Sequence, residues 1–505
     1  MCKKNTMENV LKELTQYAFF EKMLVSQTSA QKLMHFDHLE LFPSETSNTV
    51  LPWEIEAFAE LSILSTGSNP TKSFKTHNSK AFCKIITSIR NFLPPRLEEE
   101  MGTPKFANDF FMACGMVQFK PQKYALNRLY RYNYFWSFKN DKIDMPKIFS
   151  DNFNDLSYEY FMELAILTYF AASMDGNSSN AFRYISMTHI DAIRLLCITR
   201  DEYIERQNEK NLGDVNNVVY GFNYLYPYPY IEFNSNIYLP IPYLIIDAVC
   251  ESLVTRVTND NDRIREDIGK YVAQSYIEYI LKDGHVYEEV VPEIPYVVRR
   301  QTIDAPDVMI KDGNRFCFID SKLSTPKLSL RHFNETDIES NIKQYAKNVR
   351  QMYKRIVDFW DAKYYPFTSH TNIDKTNVFG IVVVFENAFI FKSRILTEVF
   401  KDLKIDSESA EATFIKSNIY VTDLSDIESF ASSSFNIFTA LESKRNDSKR
   451  WQDIGLYSDE LYDHAPTKSQ SLISFENETR NILKRHLAKM LELRLIPVST
   501  DTSSN

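Results

Sequence analysis

Residues 305–322 read APDVMIKDGNRFCFIDSK. Two short apolar runs, Asp307 to Ile310 and Arg315 to Ile319, flank Lys311-Asp312-Gly313-Asn314. Glycine reaches positive φ without steric cost, so a glycine between Asp and Asn at this spacing predicts a β-hairpin. Asp307 opens the first strand and Asp320 closes the second, thirteen residues later. The strand's period of two places Asp320 and Lys322 on one face. A divalent ion such as Mg²⁺ takes hard oxygen ligands and keeps several waters, which makes Asp307 and Asp320 candidate ligands. The Lys322 ammonium beside them can orient or help to deprotonate an attacking water and offset charge on a phosphorane-like transition state, the chemistry of phosphodiester hydrolysis. The alternative reading is an ordinary surface pair of Asp and Lys, with Pro306 starting a strand.

Working outward, residues 262–282 carry Ile264, Ile268, Tyr271, Val272, Ser275 and Tyr279 on one helical face, with Asp283-Gly284 as a stop. His285 to Val298 reads as a strand rich in Val and Tyr. After the hairpin and a polar loop, residues 336–359 are again helical, and NVFGIVVVF, residues 377–385, is a β-branched run of the kind buried on both faces of a sheet. The predicted order is α-β-β-β-α-β. Ile419 to Thr422 and several helices, one of them amphipathic around residues 478–493, complete or cap this domain.

With that order in view, residues 262–390 resemble the PD-(D/E)XK nuclease superfamily, the restriction-endonuclease-like fold. Its signature is a Pro-Asp at a strand start and an apolar strand ending in Asp/Glu-x-Lys; Pro306-Asp307 and Asp320-Ser321-Lys322 fill those positions. Asp/Glu-x-Lys also occurs at Asp361, Asp402, Glu442 and Asp447, but only the Asp320 copy ends an apolar strand after a glycine turn, and Pro306-Asp307 is the chain's single Pro-Asp. The resemblance implies a Mg²⁺-dependent nuclease, with Mn²⁺ as a substitute ion, Asp307 and Asp320 as metal ligands and Lys322 activating water. Members of the superfamily often add a carboxylate from the preceding helix and a polar residue from the following one. Glu278, seven residues beyond Tyr271, and Gln344, within Asn341-Ile342-Lys343-Gln344-Tyr345, stand at the corresponding places. Solvated surface explains either residue as well.

Residues 321–363 hold nine Lys or Arg (Lys322, Lys327, Arg331, Lys343, Lys347, Arg350, Lys354, Arg355 and Lys363) against five acidic residues, a local excess of +4 in a chain of net charge −9. Such an excess suits phosphate-backbone contact, and a merely solvated helix face suits it too. The expected partner is nucleic acid, DNA in the first place, with cutting of both duplex strands favouring a homodimer or a partner subunit. A large accessory region on such a nuclease implies, by analogy, restriction or anti-phage defence. The competing readings are a non-cleaving nucleic-acid-binding or assembly subunit with the same fold, and a helical interaction protein whose hairpin motif is accidental.

The remaining sequence mostly excludes. The 505 residues have average apolar and charged fractions, 44 % and 25 %, as a globular chain of several domains should. Glycine is scarce, 11 residues, and neither G-x-x-x-x-G-K-[ST] nor G-x-G-x-x-G occurs, so P-loop and dinucleotide-binding folds are set aside. The six cysteines are scattered without a C-x-x-C pair, which suits a reducing compartment and no zinc ribbon. His35-x-x-His38 has no third ligand nearby in sequence. No signal peptide or membrane-spanning run is read, giving a cytoplasmic protein without a membrane partner as the expectation. Residues 1–255 read as mainly helical, with apolar spacing of three and four over Met7 to Leu24, Leu51 to Leu64 and Leu156 to Met174. Four prolines and six tyrosines in residues 223–243 suggest extended edges and turns before a boundary. The expected architecture is therefore multidomain α+β: a largely α-helical region of recognition or regulation over 1–255, an αβββαβ nuclease core over 256–498, and a disordered tail over 499–505.

Overall fold

The computed structural model describes residues 7–36, 39–40, 49–65, 67, 70–74, 80–118, 125–174, 178–210, 213–259, 261–322, 330, 334–385, 388–432, 436–445, 469–493 and 495. The expected tail at 499–505, His38, Lys327 and Arg331 lie outside these residues, as does the side chain of His35. The chain is mixed α and β, helical in its N-terminal half and sheet-bearing in its C-terminal half. No helix among the described residues is long and apolar enough to cross a membrane.

Two compact units divide the chain: Met1–Phe106 with Met145–Asp260 and Glu476–Asn505, and Ala107–Asp144 with Asn261–Phe475. The expected boundary lies at residue 255; the units change at residue 260, and two segments lie on the other side from the expectation. Residues 107–144 join the sheet-bearing unit because Arg131 forms a buried ion pair with Glu428, Nε to Oε1 at 2.6 Å, and Tyr276 donates to the same carboxylate at 2.7 Å. Residues from 476 onward join the helical unit through Arg485 and His486, both bonded to Glu163. Charged and aromatic partners far away in sequence outweighed local composition.

In the helical unit the first predicted segment is broken into Met7–Leu14 and Phe19–Phe36, whereas Pro52–Leu64 and Tyr158–Ser173 run as expected. Pro52–Leu64 is buried almost all round, including Glu54 and Glu56. Buried carboxylates need partners: Glu54 binds Arg90 Nη2 at 2.8 Å, and Glu56 accepts hydroxyls from Tyr226 at 2.6 Å and Tyr243 at 3.0 Å. The tyrosine- and proline-rich stretch is thus packed against a buried acid, and its strands Tyr230–Phe233 and Asn236–Tyr238 form a small sheet with Cys197–Thr199.

The other unit is built on a five-stranded sheet. Its elements are helix α1 (Gln274–Asp283), strands β1 (Glu289–Pro292), β2 (Val308–Asp312) and β3 (Arg315–Lys322), helix α2 (Glu335–Trp360), and strands β4 (Val378–Val384) and β5 (Ile419–Asp423). Strands lie side by side in chain order, β1, β2 and β3 antiparallel, β3, β4 and β5 parallel. α1 continues a helix that starts at Asp262 and passes through a π-helical turn, Ile268–Ala273. The strand expected over 285–298 is two pieces: β1 stops at Pro292, and Tyr296–Val298 pairs separately with Gln301–Ile303. Pro292 and Pro295 remove two ladder donors, which accounts for the break.

Gly313 has φ of 62° and begins a two-residue turn between paired Asp312 and Arg315, the place where a II′ hairpin needs glycine. All seven residues of β4 are buried. α2 lays Ile338, Ile342, Tyr345, Val349, Met352, Ile356 and Phe359 on the sheet at helical spacing. Gly380 lets it come close, since a Cβ there would lie 2.5 Å from Met352 Cγ and 3.0 Å from Ile356 Cδ1. Gly380→Val should therefore lower stability by about 1–3 kcal/mol through overpacking, measured as a reduced denaturant midpoint with an unchanged slope.

Candidate functional site

The hairpin register brings the two acids together. Pairing of Val308 with Ile319 puts Asp307 opposite Asp320 one step further on, and pairing of Pro292 with Val308 puts Glu293 beside Asp307 in the same way. Continued one residue past its paired ends, the register thus sets Asp307 and Glu293 beside Asp320 at one end of the sheet. Asp307 and Asp320 are 7 % and 1 % exposed.

Asp307 is held by three donors. Its Oδ2 accepts the Ser321 amide and the Ser321 hydroxyl, each at 2.6 Å, and its Oδ1 accepts the Gln274 side-chain amide from the first turn of α1. Burial, with the neighbouring Asp320 charge second, pushes the Asp307 carboxyl up to about 6 against the pull of Ser321 and Lys322. Asp320 lies on the strand face that carries Phe316 and Phe318, both in ring contact with Phe359 of α2. Its Oδ2 has Lys322 Nζ at 2.8 Å and its Oδ1 has Arg355 Nη1 of α2 at 3.0 Å. These are ion contacts without hydrogen-bond alignment, and the buried Oδ2 accepts no hydrogen bond. Glu293 is half-buried and its carboxyl is raised, first by burial and then by Asp304, with Asp320 adding to the rise and Lys270 and Arg355 opposing it.

Asp307, Asp320 and Lys322, expected from the sequence, are therefore brought together. Glu278 and Gln344 are not. Glu278 pairs with Lys282 one turn further along α1. The group that reaches the acids is Gln274, four residues earlier on the same face and about 6 Å along the axis. Gln344 is exposed, donates to Asn348 at 3.3 Å, and lines an open groove with Lys343, Lys347, Arg350, Glu398 and Asp402. It stands eleven residues, about 16 Å of helix, before Arg355. The local basic excess is largely spoken for: Arg350 pairs with Asp402 at 3.1 Å, Lys363 with Asp358 at 2.6 Å, and Lys322 and Arg355 with Asp320. Lys343, Lys347 and Lys354 remain exposed.

Three site residues escaped the sequence reading: Gln274, Glu293 and Arg355. Arg355 did leave a trace, because it sits three residues after Met352 and four before Phe359, a charge inside the apolar stripe of an amphipathic helix. Glu293 could be found only by extending the register of β1, which needed its correct end.

An all-oxygen pair of buried carboxylates, one carrying an oxygen without a hydrogen bond, fits a hard divalent cation such as Mg²⁺. Without such an ion the raised Asp307 group makes the native state less stable as pH rises. Its contribution is fully present below the unfolded value, near 4, and is lost through the folded value, about 6. We expect metal-free wild type to lose on the order of 2–3 kcal/mol more than Asp307→Asn over that interval, read from denaturation curves at a series of pH values. An equal pH response in the two proteins would contradict the buried placement of Asp307 beside Asp320.

A scan against protein-family models gives no match, and neither does comparison with curated proteins or with solved structures.

Proposed function

We propose that the sheet-bearing unit hydrolyses phosphodiester bonds of nucleic acid, DNA in the first place, with Mg²⁺ held by Asp307 and Asp320. The observation that carries this reading is the convergence of two buried carboxylates and Lys322 at one end of the β2–β3 hairpin, in an element order that resembles the PD-(D/E)XK nuclease core. When bound, the ion would polarise a phosphate oxygen and lower the pKa of a bound water.

The chain's own groups divide the remaining work. Lys322 is tied to Asp320 and projects from the same strand face, where its ammonium orients the attacking water and offsets charge building on the phosphate oxygens. The water oxygen forms the new bond to phosphorus and gives its proton to solvent, while the bond from phosphorus to the leaving sugar oxygen breaks and that oxygen takes a proton from solvent. Ser321 and Gln274 fix both oxygens of Asp307, so its orientation does not depend on the substrate. Exposed Lys343 and Lys347 supply sequence-independent attraction for a phosphate backbone. One site per chain implies two chains for cutting both strands of a duplex, and the helical unit is left for recognition or a partner subunit. A role in restriction or anti-phage defence rests on the resemblance alone.

One observation favours the second reading, a non-cleaving nucleic-acid-binding or assembly subunit: both oxygens of Asp320 already face cations of the chain itself. Cleavage of plasmid, linear duplex and single-stranded substrates in Mg²⁺ and in EDTA separates the two. We expect Mg²⁺-dependent cleavage that falls by about 10²-fold or more in folded Asp320→Ala and Lys322→Ala proteins. Binding without cleavage under all conditions would select the second reading, and cleavage that survives both substitutions would mean that the site lies elsewhere.

A further inference from the structure

Arg355 is an unusual neighbour for a carboxylate assigned to a metal. It rises from the apolar face of α2, its side chain is 16 % exposed, and its Nη1 lies 3.0 Å from Asp320 Oδ1. Lys322 holds the other oxygen. Both coordinating positions of Asp320 are thus filled by positive charge from the chain.

The backbone of Arg355 is held by a hydrogen bond, while its Nη1 makes none. Tyr364 donates its hydroxyl to the Arg355 carbonyl at 3.4 Å and is stacked on Tyr296 with centroids 4.1 Å apart, and Tyr296 is anchored to Asp358 at 2.9 Å. The tip makes an ion contact with Asp320 in which Nη1 lacks hydrogen-bond alignment. A guanidinium does best with two parallel bonds to a planar carboxylate or to phosphate oxygens. Its present seat does not provide them.

Resting on the metal-dependent reading above, we propose that Arg355 is a counter-ion latch: it occupies Asp320 until a backbone phosphate of the bound strand draws it away, so that cation binding and nucleic-acid binding assist each other. A guanidinium and a divalent cation compete for one buried carboxylate, which holds down cation affinity in the free protein. A phosphodiester relieves that competition by giving the guanidinium a better partner. Coupling of this kind is reciprocal, and in proteins it typically amounts to about 5–150-fold. It would keep the site poorly loaded with metal when no substrate is present.

The test is Mn²⁺ binding, by titration calorimetry and by the electron paramagnetic resonance signal of free Mn²⁺. The full chain is used, with and without a short phosphorothioate-linked DNA duplex. We expect Arg355→Gln to bind Mn²⁺ about tenfold more tightly than wild type without DNA, and DNA to tighten binding by a smaller factor in the variant than in wild type. Lys354→Gln removes the same charge from the adjacent, exposed position and should change Mn²⁺ affinity less than twofold. Arg355→Lys, a fallback if the glutamine variant does not fold, keeps a charge but not the fork, and should show weaker coupling to DNA than wild type.

Equal or weaker Mn²⁺ binding by Arg355→Gln, or an equal gain from Lys354→Gln, overturns the latch. Asp320→Asn distinguishes the two levels of failure. If it abolishes Mn²⁺ binding while Arg355→Gln changes nothing, the latch is wrong and the metal site stands. If it leaves Mn²⁺ binding intact, or if no form of the protein binds Mn²⁺ with or without DNA, the metal site itself is wrong.

Discussion

Asp320 is a carboxylate at the buried end of an apolar strand, on the face that the sheet presents to its longest covering helix. Removing such a charge from water is so unfavourable that it requires compensation, and the surrounding unit is arranged to supply it. Lys322 comes from the same strand two residues on, Arg355 from α2, and the backbone of β3 continues past the acid to give Ser321 to Asp307. Each compensating group belongs to an element whose position is set by ordinary packing: the hairpin by its glycine turn, α2 by its apolar stripe on β3 and β4. The missing side chain at Gly380 lets that helix sit low on the sheet, alongside the strand whose neighbour carries Asp320.

What was legible in the sequence follows from how local each signal is. The hairpin, the continuous β4 run and α2 were readable because turn chemistry, β-branched runs and helical spacing act within a few residues of themselves. Asp307, Asp320 and Lys322 were readable because the hairpin register alone brings them together. Gln274 and Arg355 enter from helices whose rotation about their own axes is decided by contacts with the sheet, so spacing by itself offered Glu278 and Gln344 with equal right. Glu293 was hidden by two prolines that end β1 earlier than its Val and Tyr content implied.

The division into units shows the same limit on a larger scale. A shift of composition is what sets the expected boundary near residue 255. It says nothing of Arg131, whose guanidinium is buried against Glu428 almost 300 residues later, or of His486, which joins Tyr184 and Glu163. A buried charged group selects its partner by the cost of remaining unpaired, whatever the separation along the chain. Tyr226 and Tyr243 on Glu56 are a further case: an aromatic run whose prolines suggested extended edges and turns is used inside the helical unit to satisfy an acid.

The tight turn at Gly313 also bears on the order in which the molecule assembles. Closing a loop of thirteen residues is a small entropic step, and local pairings of this kind form early. Asp307 and Asp320 therefore meet soon after the hairpin closes. Arg355 belongs to a helix that must first cross the sheet, 35 residues beyond Asp320. During that interval two like charges face one another with Lys322 as their single nearby counter-charge in the hairpin. The repulsion between the two acids is thus local to the hairpin, where acid or dissolved cations can lower it, while its relief by Arg355 requires the longer-range packing of α2 on the sheet.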